Sequence, residues 1–146
     1  MHGTLTLIRV AAAAVCVVVL LFFGVGWARA MRALPSVHIA VLVQPRTAVA
    51  DGQHTVHLSI QVTQDGHPRG GDIVDAIGLD GGNMIPSEGG TDRRGRVTFA
   101  YIVPTSNAYQ TITVAHVEIR DISIGALVEV DKVIHIGIPL TQPAAS

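Results

Sequence analysis

The feature that most constrains this chain is an uncharged apolar run from Val10 to Trp27, VAAAAVCVVVLLFFGVGW. As a helix, its 18 residues cover about 27 Å, close to the roughly 30 Å hydrocarbon core of a bilayer. Apolar regions of signal peptides are shorter, about 7 to 15 residues. We therefore expect a transmembrane helix from about Leu5 to Arg32, within an anchor and short linker of residues 1–36.

The residues that follow the run have the composition of a membrane interface. Trp27 suits headgroup depth, and the guanidinium groups of Arg29 and Arg32 extend from there into water. Arg9 occupies the equivalent position on the other side of the run. Pro35 then ends the helix because it lacks an amide donor. These residues predict a helix that enters a lipid bilayer and stays in it.

The same stretch also supports a cleaved signal. Ala28 and Ala30 have the A-x-A spacing of a signal-peptidase site, and cleavage there would release a chain that begins at Met31. We favour retention, and the cleaved form is the alternative. Basic residues on the two sides of the run are nearly balanced, so an extracytoplasmic domain is expected only from the A-x-A spacing and the domain type described below.

Small residues within the run favour close contact with another helix. Gly24 and Ala28 form a small-xxx-small pair of the kind that lets two membrane helices approach. Frequent small residues are also an ordinary property of membrane helices. Cys16 lies inside the run after Val15, which is not a lipoprotein arrangement, and as the only cysteine it leaves the rest of the chain without a disulfide.

The charge distribution excludes nucleic acid as a partner. Residues 1–32 carry three arginines and no acid, whereas residues 33–146 carry seven Lys or Arg against eleven Asp or Glu, a net −4. Phosphates would repel such a domain.

After Pro35 the apolar period is two, and glycine-rich turns interrupt it, which is typical of an antiparallel β-sandwich of seven to eight strands over residues 37–140. In the second strand, Val56, Leu58, Ile60 and Val62 share one face. Residues 80–90 are expected to be irregular and residues 141–146 a loose tail. The predicted strands are 37–43, 55–63, 72–79, 97–103, 111–119, 126–130 and 133–140.

Two of these strands carry further facing predictions. Val97, Phe99, Tyr101 and Val103 should point inward. In 111–119 the inward set begins at Ile112 and Val114 and continues at Val117 and Ile119, which predicts a bulge near Ala115-His116.

Three turn motifs in order carry a resemblance. They are Ala50-Asp51-Gly52-Gln53, Asp65-Gly66-His67-Pro68-Arg69-Gly70 and Thr91-Asp92-Arg93-Arg94-Gly95-Arg96-Val97. Together they resemble the bacterial Ig-like domains of the invasin and intimin type, over roughly residues 37 to 140. The resemblance implies a rod-forming or presenting module without catalytic residues. The chain departs from that family in having one copy of the module behind an N-terminal helix. Transthyretin-like and carboxypeptidase-regulatory-like sandwiches have similar turns and are the second choice.

The residues that could bind a metal or act in catalysis are better explained by structural roles. His54, His57 and His67 lack the convergent spacing of a metal site, and Asp80 to Asn83 is better explained as a turn than as a calcium loop. No serine lies in a nucleophile elbow. One interpretation of the cluster Arg93, Arg94 and Arg96 is a solvated turn. The other is a contact with an acidic partner or with lipid headgroups. We expect no catalytic residues, no metal and no cofactor.

These observations predict a non-enzymatic, single-pass protein of the bacterial inner membrane with a periplasmic Ig-like domain. Its partners would be the bilayer and other membrane protein subunits, and its role that of an accessory subunit in a larger complex. A secreted or surface-presented adhesion module, cleaved after Ala30, is the alternative, and a periplasmic ligand- or metal-binding domain is a third. Exposed apolar residues predict the docking surface. They are Met84, Ile85, Ile122, Ile124 and Leu127.

Overall fold

The computed structural model describes the backbone of residues 2–107, 109–124 and 131–143, and side chains from residue 12 onwards within those ranges. One helix, α1 (His2–Ala33), precedes a β-sandwich. A single 3-10 turn, Leu34–Ser36, joins the two. The strands are β1 (Val37–Gln44), β2 (Ala48–Val49), β3 (Thr55–Gln64), β4 (His67–Pro68), β5 (Ile73–Gly78), β6 (Asn83–Ile85), β7 (Glu88–Gly90), β8 (Arg96–Ile102), β9 (Val114–Asp121) and β10 (Lys132–Thr141).

The connection between α1 and the sandwich is very short. Pro35 lies in the 3-10 turn, and the Ser36 hydroxyl donates to the carbonyl of Ala33 at 2.9 Å, which closes the end of the helix. Val37, the first residue of β1, is already fully buried. The sandwich therefore begins without a flexible linker after the helix.

The first sheet has the order β1-β3-β8-β6, with β4 added to the end of β3. All its pairs are antiparallel, and β3 lies between β1 and β8 over most of its length. Because one face of β3 packs on the second sheet and the other meets water, its side chains alternate in burial. The predicted inward residues Val56, Leu58, Ile60 and Val62 are all buried.

The second sheet has the order β2-β10-β9-β5-β7. Its long strands pair antiparallel, but β2 pairs parallel to the end of β10 through Leu140 and Ala48. The chain thus crosses from the first sheet to the second between β1 and β2. The expected Ig-like sandwich is confirmed, with six long strands and four short ones of two or three residues among the described residues.

The core fills the space between the two sheets. Its largest fully buried side chains include Phe99 and Tyr101 from β8 and Ile119 from β9. The Tyr101 hydroxyl donates to the carbonyl of Gly81 at 2.7 Å, and burial raises the pKa of Tyr101 to about 12. The ring therefore supports the loop after β5 while filling the core.

The facing expected around β9 was partly wrong. Ala115, Val117 and Ile119 are buried, whereas Val114 is exposed, and the pairing with β10 runs without a bulge. Ile112, which lies in the loop before the strand, is buried. The alternation of inward and outward side chains therefore shifts by one residue before β9, where no strand pairing fixes it.

Residues 80–90 are more regular than expected. β6 pairs with β8 in the first sheet and β7 pairs with β5 in the second, so this segment crosses between the sheets at Pro86. Segments this short give no readable periodicity, which is why the sequence does not reveal them. The predicted strand 126–130 lies outside the described residues.

The strand registers define two ends of the sandwich. The helix-proximal end contains Val37, the turns of residues 65–72 and 91–96, and residues 122–124. The distal end contains residues 45–54, 79–83 and 103–113. Hydrogen bonds tie the helix-proximal turns to one another, since Val62 donates to Gly95 and Gly71 donates to Thr91.

Candidate functional site

Helix α1 is apolar on all sides and has no large partner surface within the described chain. Its large side chains from Val15 to Trp27 are exposed, and Trp27 itself is 53% exposed. The stretch Ala12–Ser36, with a mean hydropathy of 2.1, is long and apolar enough to cross a bilayer. Exposed apolar side chains along a whole helix are costly in water and require a lipid or protein environment.

The predicted interface residues follow the apolar stretch directly. Arg29 and Arg32 are exposed on the last two turns of α1, within seven residues of Trp27. The side chain of Arg9 lies outside the described side chains. The arrangement on the sandwich side is therefore an aromatic ring followed by two exposed guanidinium groups, the order expected at a membrane surface.

The predicted helix-packing residues leave space beside the helix. A Cβ atom added to Gly24 would meet nothing within 4 Å, so this position forms an open notch. Ala28, one turn later, is half-buried. A second helix could approach α1 closely at Gly24, and no described part of this chain occupies that place.

The candidate cleavage site lies inside regular helix. Ala28, Arg29 and Ala30 belong to α1, which continues to Ala33, and Ala30 is only 5% exposed. Retention of the segment stays a prediction.

Those of the predicted docking residues that the structure describes lie in different parts of the fold. Met84 is buried in the core, so it has little left to offer a partner. Ile85 is 50% exposed on β6, at the edge of the first sheet. Ile122 and Ile124 are half-buried at the helix-proximal end, where Ile124 packs against the core. Leu127 lies outside the described residues.

The turn before β8 presents three arginines. The Asp92 carboxylate accepts the amides of Arg94 at 2.7 Å and Arg96 at 2.9 Å, while Gly95 donates to the Asp92 carbonyl. These amide bonds, first that of Arg96, lower the pKa of Asp92. The side chains of Arg93, Arg94 and Arg96 are exposed, and none pairs with a carboxylate of the described residues. The turn is thus internally fastened, with its cations directed to solvent.

A buried acidic group lies beside this turn. Asp121 is fully buried, its Oδ1 accepts the amide of Ser123 at 3.0 Å, and its Oδ2 has no hydrogen-bond partner among the described residues. Burial, with the nearby charge of Asp72, raises the pKa of Asp121 to about 6. Asp72 forms a two-pronged ion pair with Arg69, which also donates to Gln64 at 2.9 Å.

Sequence reasoning missed this acidic group, although the sequence carries a signal for it. Asp121 follows Val117 and Ile119 at a spacing of two, which places an acid on the inward face of β9. A charged residue on a buried face requires a partner or an altered pKa. Its proximity to Asp72 and Arg69 depends on pairing across the sheet and was not readable locally.

Histidine and carboxylate side chains form three pairs on the surface. His54 lies 2.7 Å from Asp51, His116 lies 2.7 Å from Asp80, and His135 lies 3.0 Å from Glu118. Amide bonds from His54 and Gln53 lower the pKa of Asp51 to about 2. Within the described residues, no three metal-ligating side chains converge, and the Asp80 carboxylate accepts the backbone amide of His116 in β9 at 2.7 Å.

Comparison with known proteins identifies the fold. No protein-family model and no curated protein matches the sequence. The D00-D0 domain of intimin aligns over 70% of this chain and 46% of its own, with a TM-score of 0.55 and 12% identity. The Yersinia pseudotuberculosis adhesin InvE aligns over 72% of this chain and 32% of its own, with a TM-score of 0.51 and 11% identity. The chain spans less than half the length of these structures, and its sandwich has the fold of the Ig-like domains of intimin and invasin-type adhesins.

Proposed function

We propose that this chain is a single-pass membrane protein whose Ig-like domain is a protein-interaction module at the extracytoplasmic face of the bacterial inner membrane. The observation that carries the proposal is α1, whose large apolar side chains from Val15 to Trp27 are exposed. A bilayer covers such a helix, and the three-residue 3-10 turn then holds the domain at the membrane surface.

Within this role, the protein acts as an accessory subunit of a larger membrane complex. The open notch at Gly24 offers a place for a partner helix. In the sandwich, the outer edge of β1 and most of the outer edge of β10 carry no partner strand among the described residues. Free strand edges bind other chains by β-addition, so two independent types of contact are available to one partner complex.

The second candidate function is adhesion by a released or surface-presented module. The A-x-A spacing of Ala28 and Ala30 favours it, and so does the fold shared with domains of intimin and InvE. In that case the sheet edges would bind a receptor and α1 would be absent from the mature protein. A binding role is common to both candidates.

The test is recovery of the native assembly. A C-terminally tagged chain is extracted from its own membranes in mild detergent and separated on a native gel. We expect it to migrate as a stable complex with other membrane proteins in constant ratio. Migration as a monomer in mild detergent, with no co-purifying subunit, would contradict the accessory role, and recovery in the soluble fraction would favour adhesion.

A further inference from the structure

The charges of the sandwich are unevenly placed between its two ends. At the helix-proximal end the exposed charged side chains are Arg93, Arg94 and Arg96 against Asp65 and Asp92, a net of +1. The C-terminal end of α1 adds Arg29 and Arg32, which brings the net charge to +3. At the distal end, Arg46 and Asp80 are exposed and Asp51 is half-buried, so the exposed charges there cancel. Among the described residues, the exposed positive charge is therefore concentrated where the helix leaves the domain.

Two further acids of this end are not available at the surface. Asp72 and Asp121 are buried, at 7% and 0% exposure, and Asp72 is neutralised by Arg69. The Asp92 carboxylate is exposed but directed back onto the amides of its own turn. The arginine side chains are thus exposed cations of the turn without a partner among the described residues.

The length of the connection brings these arginines close to any bilayer that α1 enters. Three residues of 3-10 helix advance about 6 Å, and the headgroup layer of one leaflet is about 5–8 Å thick. The turn of residues 91–96 is at the same end of the first sheet as Val37, because Arg96 pairs with Gln61 and Val37 pairs with Gln64. Its arginines are therefore at the end of the sandwich that would face the headgroups, where charges within about one Debye length, roughly 8 Å at physiological salt, attract one another.

We infer that Arg93, Arg94 and Arg96 bind the anionic headgroups of the bilayer that α1 spans, and so hold the sandwich against the membrane in one orientation. The inference rests on the proposed function, since it requires α1 to be a retained span. Guanidinium groups suit this role because they bind phosphate oxygens through paired hydrogen bonds. The hydrogen bonds of the turn fix the backbone from which the three side chains extend, which lowers the entropic cost of the contact.

The experiment uses the full-length chain in nanodiscs that contain a small fraction of phosphatidylcholine with a nitroxide headgroup. Paramagnetic broadening of backbone amide signals is compared between discs of phosphatidylcholine alone and discs that also contain phosphatidylglycerol. We expect broadening at residues 93–96 to increase in the anionic discs, with none at residues 109–113. At about 1 M salt, where the Debye length is about 3 Å, the increase should disappear.

Matched variants separate charge from structure. Each arginine-to-glutamine change should lower the equilibrium constant for docking roughly fivefold, which corresponds to about 1 kcal/mol per basic residue near an anionic surface. The triple variant Arg93→Gln/Arg94→Gln/Arg96→Gln should lower it roughly a hundredfold. The corresponding lysine triple variant should retain the increase. Arg46→Gln removes the same charge at the distal end and should behave as wild type.

The outcomes distinguish the inference from the proposed function. Equal broadening in neutral and anionic discs, or an unchanged glutamine triple variant, overturns the inference while leaving α1 as a span. Broadening that appears only in the purified native complex, independent of lipid charge, assigns the turn to an acidic protein surface and overturns it as well. Failure of the chain to enter discs at all overturns both.

Discussion

The backbone amide of Asp65 donates a hydrogen bond of 3.1 Å to the carbonyl of Ser36, the last residue of the turn that follows α1. This bond fastens the turn after β3 to the exit of the helix. Since β1 begins at the next residue, the helix and the first sheet are joined at two adjacent points. The domain is therefore held close to the end of α1, which is the structural basis for placing it at a membrane surface.

The facing of β3 predicts the first mutational effect. Leu58→Asp puts an unpaired charge between the two sheets, where Leu58 is fully buried, and should cost more than about 3 kcal/mol of unfolding free energy. Ser59→Asp, one residue further on the exposed face, is the matched control and should change stability little. Thermal unfolding of the full chain in detergent, followed by circular dichroism, measures both. Equal melting temperatures for the two variants would refute the facing.

The turn of three arginines depends on Gly95. Its φ is +71°, and an added Cβ would overlap the carbonyl oxygen of Val62, which is backbone and cannot move aside. Gly95→Ala should therefore destabilise the sandwich by more than about 1 kcal/mol. Gly90→Ala is the control because nothing lies within 4 Å of a Cβ there. A Gly95→Ala protein as stable as the Gly90→Ala protein would show that Gly95 does not approach the Val62 carbonyl closely.

Asp121 predicts a pH dependence of stability. Because its pKa is raised from 3.8 to about 6, the folded protein holds a proton that the unfolded chain has lost between those values, so stability from this group falls as pH rises through that window. Asp121→Asn removes the effect. Relative to wild type, the variant should gain about 1–3 kcal/mol of unfolding free energy between about pH 4 and pH 7.

Asp51→Asn gives the opposite sign and serves as the comparison. The pKa of Asp51 is lowered to about 2, so its ionised form stabilises the folded state above 3.8 and that contribution is lost as pH falls toward 2. The asparagine variant should therefore be less stable than wild type at neutral pH. Denaturant titrations of both variants across this pH range test the assignment, and a stability difference for Asp121→Asn that does not change with pH would contradict it.

The notch at Gly24 predicts the effect of bulk on assembly. Gly24→Leu fills the open position and should weaken the native complex by blocking close approach of a partner helix. Val25→Leu enlarges the neighbouring exposed residue on another face of α1 and should leave assembly intact. The amount of tagged chain that migrates in the complex on a native gel is the measurement. Unchanged migration of Gly24→Leu would show that no partner helix packs closely at Gly24.

The sequence predicts best which side chains of a regular strand face the core, because these alternate with a period of two. Val56 to Val62 alternate because one face of β3 is buried and the other is wet, so their facing was readable and correct. Val114 was misplaced because the phase changes in the loop before β9, where no local pattern marks it. Met84 looked like exposed apolar surface, but the two-sheet crossing of residues 83–90 buries it, and that crossing is a tertiary property.

The surface features depended still more on topology. The three arginines were visible in the sequence as a cluster, yet only the register of β1, β3 and β8 places them at the end from which α1 leaves. Arg69 and Asp72 pair locally, three residues apart, but only the fold places Asp121 beside them. Electrostatic relationships of this kind follow from the fold and not from spacing along the chain.

The intact mass of the mature protein decides whether α1 is retained as a membrane anchor. The chain is purified with a C-terminal tag from native membranes, and its mass is measured without proteolysis. We expect a mass that includes α1. A mass that begins at Met31, from a soluble species, would contradict the anchor and would make Ala28-Arg29-Ala30 a cleavage site.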